Sequence, residues 1–348
     1  MLSVCIITKN EQLNLERCLR SLSKLPFEIV VVDTGSTDQT LSMARKYTSS
    51  IYGFEWCDDF SKAKNFAVSK AKWDIALVLD SDESVRGIDL KSLSELIQKH
   101  PKSVGRIERR NQLKQGQEMR ESKERINRIF DRRLFHYEGK IHEQLVSING
   151  ASYSTYAAPV VVDHSGYLLT EEERIKKAQR NIRLLELESA KRKDPYILSQ
   201  LGKSYYMIRN YQMAIQYFSE ALSFDLDPRL EYVIDMVDCY GYALLNSGNA
   251  KDALCFESIY EEFGGRADFQ FLMGLIYMNN EQFEPAIQEF LKAAQKKDCS
   301  MTGVNSYLAY YNIGVIYECL GNAKKAIEAY EKCGDYAPAK KQLEGLCL

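Results

Sequence analysis

What this chain lacks narrows the reading first. No stretch reaches the roughly 18 apolar residues needed to span a bilayer. The N-terminus MLSVCIITKNE runs straight into a strand pattern, without the apolar core of a signal peptide. Neither charge is in excess, with 46 Lys and Arg against 48 Asp and Glu, so the chain as a whole is no polyanion binder and no nucleic acid is expected as a partner. No C-x-x-C pair occurs among nine scattered cysteines. An odd, unpaired set argues against a disulfide framework or a zinc site and points to small buried hydrophobes for most of them. These absences lead to the expectation of a cytoplasmic protein. Its 348 residues are enough for two domains, each with its own core.

Residues 1–168 alternate short β-rich runs with amphipathic stretches. Val4–Ile7, Ile29–Val32 and Ile75–Leu79 each end in polar turn residues, with Leu13–Leu22 and Thr40–Tyr47 between them. That is the order of βαβ units in a Rossmann-like, mainly parallel sheet. Right-handed crossovers then bring the strand ends to one edge. Residues 169–193 read as a connecting helix: Thr170 and Glu173 fit a capping box, and Ile175, Ala178, Ile182 and Leu185 make one apolar stripe.

Residues 194–348 are helical and repetitive. Gly and Ala recur twelve positions apart at Gly202/Ala214, Gly241/Ala253, Gly274/Ala286 and Gly314/Ala326. Tyr205, Phe218, Tyr277, Phe290, Tyr317 and Tyr330 accompany three of the copies, whereas the second carries Leu244 and Glu257 at its aromatic positions. The pattern resembles the tetratricopeptide repeat, whose helix pairs stack into an all-α solenoid with a concave face for an extended partner. The terminal Leu343, Leu346 and Leu348 offer a surface for a homodimer.

Chemistry-bearing residues gather at the strand ends. The run Ile75–Leu79 stops on Asp80-Ser81-Asp82-Glu83, and carboxylates spaced this way can hold a hard divalent cation such as Mg²⁺ or Mn²⁺. The same D-x-D also fits a solvated turn. The first strand runs into Thr8-Lys9-Asn10-Glu11 and the second into Asp33-Thr34-Gly35-Ser36-Thr37-Asp38, where a nucleotide could be read or a helix simply N-capped. Between residues 102 and 143 stand 12 Lys or Arg against 7 Asp or Glu, either a patch that steers a charged ligand or a solvated face. Arg128, Arg132 and Arg133 are its members nearest the segment Tyr137-Glu-Gly139-Lys-Ile-His142-Glu143-Gln144. His142 and His164 stand beside glycines, one before and one after an expected strand Pro159–Val162.

The ordered set of I-I-T-K-N-E, V-V-V-D-T-G-S-T-D-x-T and L-D-S-D resembles the family 2 glycosyltransferases of the GT-A fold, over essentially all of residues 1–167. The resemblance implies an inverting transfer of one sugar from a nucleotide-diphosphate donor, a UDP-sugar by preference, with Mn²⁺ or Mg²⁺. It implies that Thr8, Asn10 and Glu11 line the nucleotide pocket and that Asp33 meets the base. Asp80 is placed near the ribose or the metal, and Asp82 ligates the metal. Lys64 and Asn65, in Asp59-Phe60-Ser61-Lys62-Ala63-Lys64-Asn65, match a helix opening beside the nucleotide, or else belong to a surface helix. By the same resemblance Glu143 is the base, with His142 its rival, and His164 completes the metal or diphosphate shell.

The Q-x-x-R-W signature of processive synthases is missing. Joined to repeats, the layout is similar to that of bacterial enzymes that glycosylate peptides on Cys, Ser or Thr, which implies a peptide or protein acceptor held by the repeats. Two alternatives stay open: a saccharide or lipid-linked acceptor in envelope assembly, or a non-catalytic scaffold with a retired transferase half.

Overall fold

The computed structural model describes residues 1–115, 118–164 and 170–346, with the backbone alone for 113–115 and 118–120. It divides into two compact units, Met1–Arg174 and Ile175–Leu348. The expected boundary at 168 lies outside the described residues, as do Gly166, Tyr167 and Leu348.

In the first unit β1 (Leu2–Thr8), β2 (Glu28–Asp33), β3 (Ile51–Gly53) and β4 (Ile75–Asp80) are parallel neighbours in the order β3-β2-β1-β4. Alternate residues of these strands enter different cores, as the two-residue pleat requires. Val4, Ile6, Val31, Leu77 and Leu79 pack with Leu15 and Leu19 of α1 (Gln12–Leu22) and Met43 of α2 (Thr40–Ala44). Cys5, Val30, Val32 and Val78 pack with Ala67 and Val68 of α3 (Phe60–Ser69). Cover on both faces explains why the strands read as continuous apolar runs. Thr8 pairs with Asp33, and Ile7 with Asp80, so the three strand ends share one edge.

Beyond β4 the sheet changes character. β5 (Glu83–Ile88) does not pair with β4 but crosses to the far edge, and α4 (Leu90–Lys99), N-capped by Asp89, follows it. β6 (Val104–Gln115) and β7 (Glu118–Asp131) form a long antiparallel hairpin, with β7 antiparallel to β4. A separate ribbon pairs β8 (Phe135–Glu138) with β9 (Gln144–Ser147). β10 (Thr155–His164) then inserts between β6 and β5. It extends past the expected end at Val162 because Asp163 and His164 are paired on both sides, with Ser84 and Glu83 of β5 and with Arg110 and Asn111 of β6. Its pairing with β6 shifts register around Pro159, which has no N–H to give to the ladder.

The basic run turns out to be mostly hairpin. Arg109 stands opposite Glu124 and donates to it at 3.1 and 3.0 Å, and Arg110 pairs with Glu108 and Glu121. The pairs with Glu124 and Glu121 cross the hairpin, and the pair with Glu108 runs along β6.

In the second unit α5 (Glu171–Ser189), whose first residues precede the division, opens on the expected capping box. Thr170 N–H reaches Glu173 Oε2 at 2.9 Å, and Glu173 N–H reaches Thr170 Oγ1 at 3.3 Å. Helices α6 (Pro195–Met207) and α7 (Tyr211–Leu222) form the first repeat, and α8 (Glu231–Asn246) opens the second. The second copy then departs from the pattern with a 3₁₀ helix over Asp252–Ile259 and a single α turn, α9 (Tyr260–Phe263). α10 (Ala267–Asn279) with α11 (Phe283–Ala294), and α12 (Tyr307–Cys319) with α13 (Ala323–Glu331), form the third and fourth, followed by α14 (Ala337–Leu346).

Close packing explains the repeat glycines: a Cβ on Gly202 would lie 2.5 Å from the Phe218 ring, and one on Gly274 would lie 2.6 Å from Phe290. In the degenerate copy Gly241 faces Leu272 instead. Leu343 and Leu346 pack beside Tyr330 and Ala339. Among the described residues no helix is long and apolar enough to cross a membrane, and the cysteines are free.

Candidate active site

Two loops at the shared strand edge are sewn together. Thr34 donates its N–H to Thr8 O at 2.9 Å. Asn10 donates its N–H to Ser36 Oγ at 2.9 Å and accepts from Thr37 N–H at 2.7 Å. Asp33 accepts from Gly35 N–H at 3.1 Å and Ser36 N–H at 3.0 Å, closing a turn in which Gly35 takes φ +101°, a region that favours glycine. Glu11 stands at the N-cap position of α1, and its N–H reaches Thr40 Oγ1 at 3.0 Å. The four residues expected at a nucleotide are thus together. The buried Thr8 hydroxyl has no hydrogen-bond partner among the described residues.

Helix α3 holds the second wall. Asp59 caps it by accepting from Lys62 N–H. Phe60, Lys64 and Asn65 then bind three points of the segment that carries Glu143. Phe60 N–H reaches Lys140 O at 2.8 Å. The Asn65 amide clamps the Tyr137 backbone from both sides, at 2.8 and 2.9 Å. Lys64 Nζ lies 2.6 Å from Glu143 Oε1 and 2.9 Å from Asp80 Oδ1, above the Tyr137 ring. Between these ties the backbone is left-handed at Gly139, φ +96°, and at His142, φ 50°.

Both oxygens of Asp80 are engaged by cations, since Arg128 reaches Oδ2 at 2.5 Å. Burial alone would raise its carboxyl, but Arg128 and Lys64 hold it well below the usual range. Burial likewise opposes the charge on Lys64, yet Asp80 and Glu143 keep its ammonium above the ordinary lysine value. Tyr137, buried beneath, is pushed up to about 12.

Asp82 and His164, expected as metal ligands, meet as Oδ2 and Nε2 at 3.3 Å. Asn111 Nδ2 donates to Glu124 at 2.5 Å, which assigns its Oδ1 as the acceptor for His164 Nδ1 at 2.7 Å. The Nδ1 proton is thereby fixed, and in the neutral ring Nε2 carries the lone pair on the side of Asp82. One carboxylate and one oriented imidazole are donors that would suit a divalent cation. Among the described residues no three His, Cys, Asp or Glu side chains are grouped to hold a metal. Beside Asp82 lies a polar cavity of about 180 Å³, walled by Asn14, Arg17, Ser84, Gln112 and Asp163.

Glu83, Arg109 and Arg128 join these parts. Glu83 is fully buried and accepts from Asp80 N–H, Arg109 and Arg128 at 3.0, 3.2 and 3.0 Å. The result is one continuous network: Asp82, His164, Asn111, Glu124, Arg109, Glu83, Arg128, Asp80, Lys64, Glu143. The reading of the sequence took up neither Glu83 nor Arg109. The third acidic residue after Leu79 was the available signal for Glu83. Of the three arginines singled out, Arg132 and Arg133 pair with Asp74, ahead of β4, and Arg128 reaches its far end.

Known proteins match both units. A model described as Glycosyl transferase family 2 matches residues 3–151, and a Tetratricopeptide repeat model matches 267–295 and 307–342. A TPR repeat-containing protein of Synechococcus elongatus is 41% identical over 83 residues, covering 24% of this chain and 21% of its own. An uncharacterized glycosyltransferase of Rickettsia bellii is 34% identical over 84 residues, covering 24% and 28%. The glycosyltransferase SunS of Bacillus subtilis is 23% identical over 234 residues, covering 63% and 52%. The chain therefore spans less than a third of the first two relatives and about half of SunS. The chain thus carries a domain matched by the Glycosyl transferase family 2 model at its N-terminus and tetratricopeptide repeats after it.

Proposed function

We propose that the N-terminal unit transfers a single sugar from a UDP-sugar to an acceptor held by the repeats, with inversion at the anomeric carbon. The observation that carries this reading is the unbroken network from Asp82 and His164 to Glu143, which ties a cation-binding pair to a carboxylate base at one sheet edge. In the transfer the acceptor heteroatom bonds to the anomeric carbon while the bond from that carbon to the diphosphate oxygen breaks. The bonding pair leaves with the diphosphate, and Glu143 takes the acceptor proton. His142 adjoins Glu143, and we take Glu143, which lies 2.6 Å from Lys64 in the network, as the base.

A divalent cation held by Asp82 and His164 would offset the charge of the leaving diphosphate. The mixed oxygen and nitrogen pair favours Mn²⁺ over Mg²⁺. Thr8, Asn10, Glu11 and Asp33 form the nucleotide wall, where the buried Thr8 hydroxyl supplies a group for the ligand. Carboxylate, amide, guanidinium and hydroxyl groups around the cavity beside Asp82 suit a hydroxylated ligand. For the acceptor, repeat solenoids bind extended chains, which favours a polypeptide bearing Ser, Thr or Cys over a saccharide. Free cysteines fit a reducing compartment, and we place the protein in the cytoplasm.

The test is UDP release from a panel of UDP-sugars with Mn²⁺. Release should fall with chelation and with Asp82→Asn. No release from any donor, or release indifferent to Asp82→Asn, would overturn the reading. Intact-mass analysis of candidate peptides incubated with the best donor, looking for one added hexose or N-acetylhexosamine, separates peptide from saccharide acceptors.

A further inference from the structure

We propose that Lys64 is a positioning residue of the transfer: it fixes the Glu143 carboxylate on the acceptor side relative to Asp80 on the donor side. This inference rests on the transferase reading and goes beyond nucleotide contact, the role the resemblance implies for this lysine.

The geometry is specific. Lys64 is 4% exposed, and its ammonium spans two carboxylates from distant parts of the chain, Asp80 at the end of β4 and Glu143 between β8 and β9. A buried ammonium is retained only where its protons find partners, and these two carboxylates supply them. Its stem is fixed as well, because α3 is capped by Asp59 and bound through Phe60 and Asn65 to the segment it addresses. Asp80 is held from its other side by Arg128, itself braced on Glu83. Lys64 therefore acts as a strut with one end on a braced carboxylate and the other on Glu143.

Glu143 needs such a strut. It follows His142, which sits in a left-handed conformation, and it belongs to the turn between the two strands of a small ribbon. Turns of this kind admit several side-chain directions, whereas a base must lie within hydrogen-bond reach of the proton it takes. A misplacement of about 1 Å in such a group costs on the order of 100-fold in rate.

The experiment uses the full chain with Mn²⁺ and the best UDP-sugar, reading kcat and KM for UDP release. Lys64→Met should lower kcat by about 100-fold with donor KM within threefold. In an Glu143→Gln background the same substitution should cost little more, since the group being positioned is already disabled. Lys64→Ala should regain part of its kcat on addition of methylammonium. Unchanged kcat, a loss carried by KM, or full additivity with Glu143→Gln overturns the proposal. If Lys64→Met loses its thermal transition, Lys64→Arg decides: it keeps the charge but alters the reach, and should lose about tenfold in kcat at unchanged KM. Full kcat in that variant, or a matching rise in KM, overturns the proposal. A wild-type protein without any UDP release fails the transferase reading itself and takes this inference with it.

Discussion

In the first unit the decisive residues are charged and buried: Lys64, Glu83 and Arg128 are each less than 7% exposed and hold one another by opposite charge. In the second the decisive positions are glycines that face rings, such as Gly202 under Phe218 and Gly274 under Phe290. The first arrangement has high stakes, because removing one partner leaves an uncompensated charge in a poorly solvating place. The second spreads its stability over many contacts between neighbouring helices. The proposed base calls for the first kind of construction. A surface that recurs along a stack needs only the second.

Substitutions can break this contrast. Glu143→Gln should have the largest effect, lowering UDP release by about 100-fold or more, and it should also lower the melting temperature, because the buried Lys64 ammonium loses one of its two carboxylates. A near-normal rate would make His142 the base. Next comes Gly274→Ala, which forces a Cβ against Phe290 and should cost roughly 1–3 kcal/mol of stability without changing UDP release below the transition. A loss of release matched to the loss of stability would show that the two constructions are not independent. Asn65→Ala strips both bonds from the Tyr137 backbone and should cost about 1–3 kcal/mol, with a fall in kcat that exceeds any change in KM. If calorimetry shows the destabilisation while kcat holds, Asn65 shapes the fold and not the site.

The smallest effect concerns acid. Burial pushes Asp238 up to about 6 despite its bonds to Arg266, with Asp268 and Asp235 adding to the rise. Its folded value exceeds the unfolded carboxyl value of about 4. Its contribution is therefore full below that pH and is lost as pH rises through about 6. Asp80 behaves oppositely. Its folded value is lowered, so its contribution is full above the unfolded value and disappears only in stronger acid. Melting curves from pH 4 to 7 should give Asp238→Asn a flatter profile than the wild type, by a few degrees. Parallel profiles would remove Asp238 from the account.

Much of this was legible in advance, for reasons that differ between the units. Thr8, Asp33 and Asp80 could be placed on one edge because alternating strands and helices fix parallel order. The repeats could be counted because a glycine and the ring that fills its gap recur at constant spacing. The degenerate copy announced itself by Glu257, which indeed lies in a 3₁₀ helix. The β6/β7 hairpin was not legible. Its alternation is written in charged residues, Arg106, Glu108 and Arg110 on one side, which read equally well as a solvated run. For the same reason Arg128 could not be told from Arg132 and Arg133. Antiparallel pairing of β7 with β4 sends Arg128 to the Asp80 end and the other two to the opposite one.

By itself the sequence determined the α/β and repeat halves, the strand-end carboxylates and the glycine–ring spacing, because each is set by a local period or by residues a few turns apart. Only the tertiary structure decided that β5 leaves its neighbour for the far edge, which sets Glu83 and Asp82 beside β10 and so brings His164 to Asp82. It alone decided that Lys64 would join Asp80 to Glu143. Those choices depend on pairing between distant strands and on the need of each buried charge to find a partner, and neither leaves a mark in any one stretch of sequence.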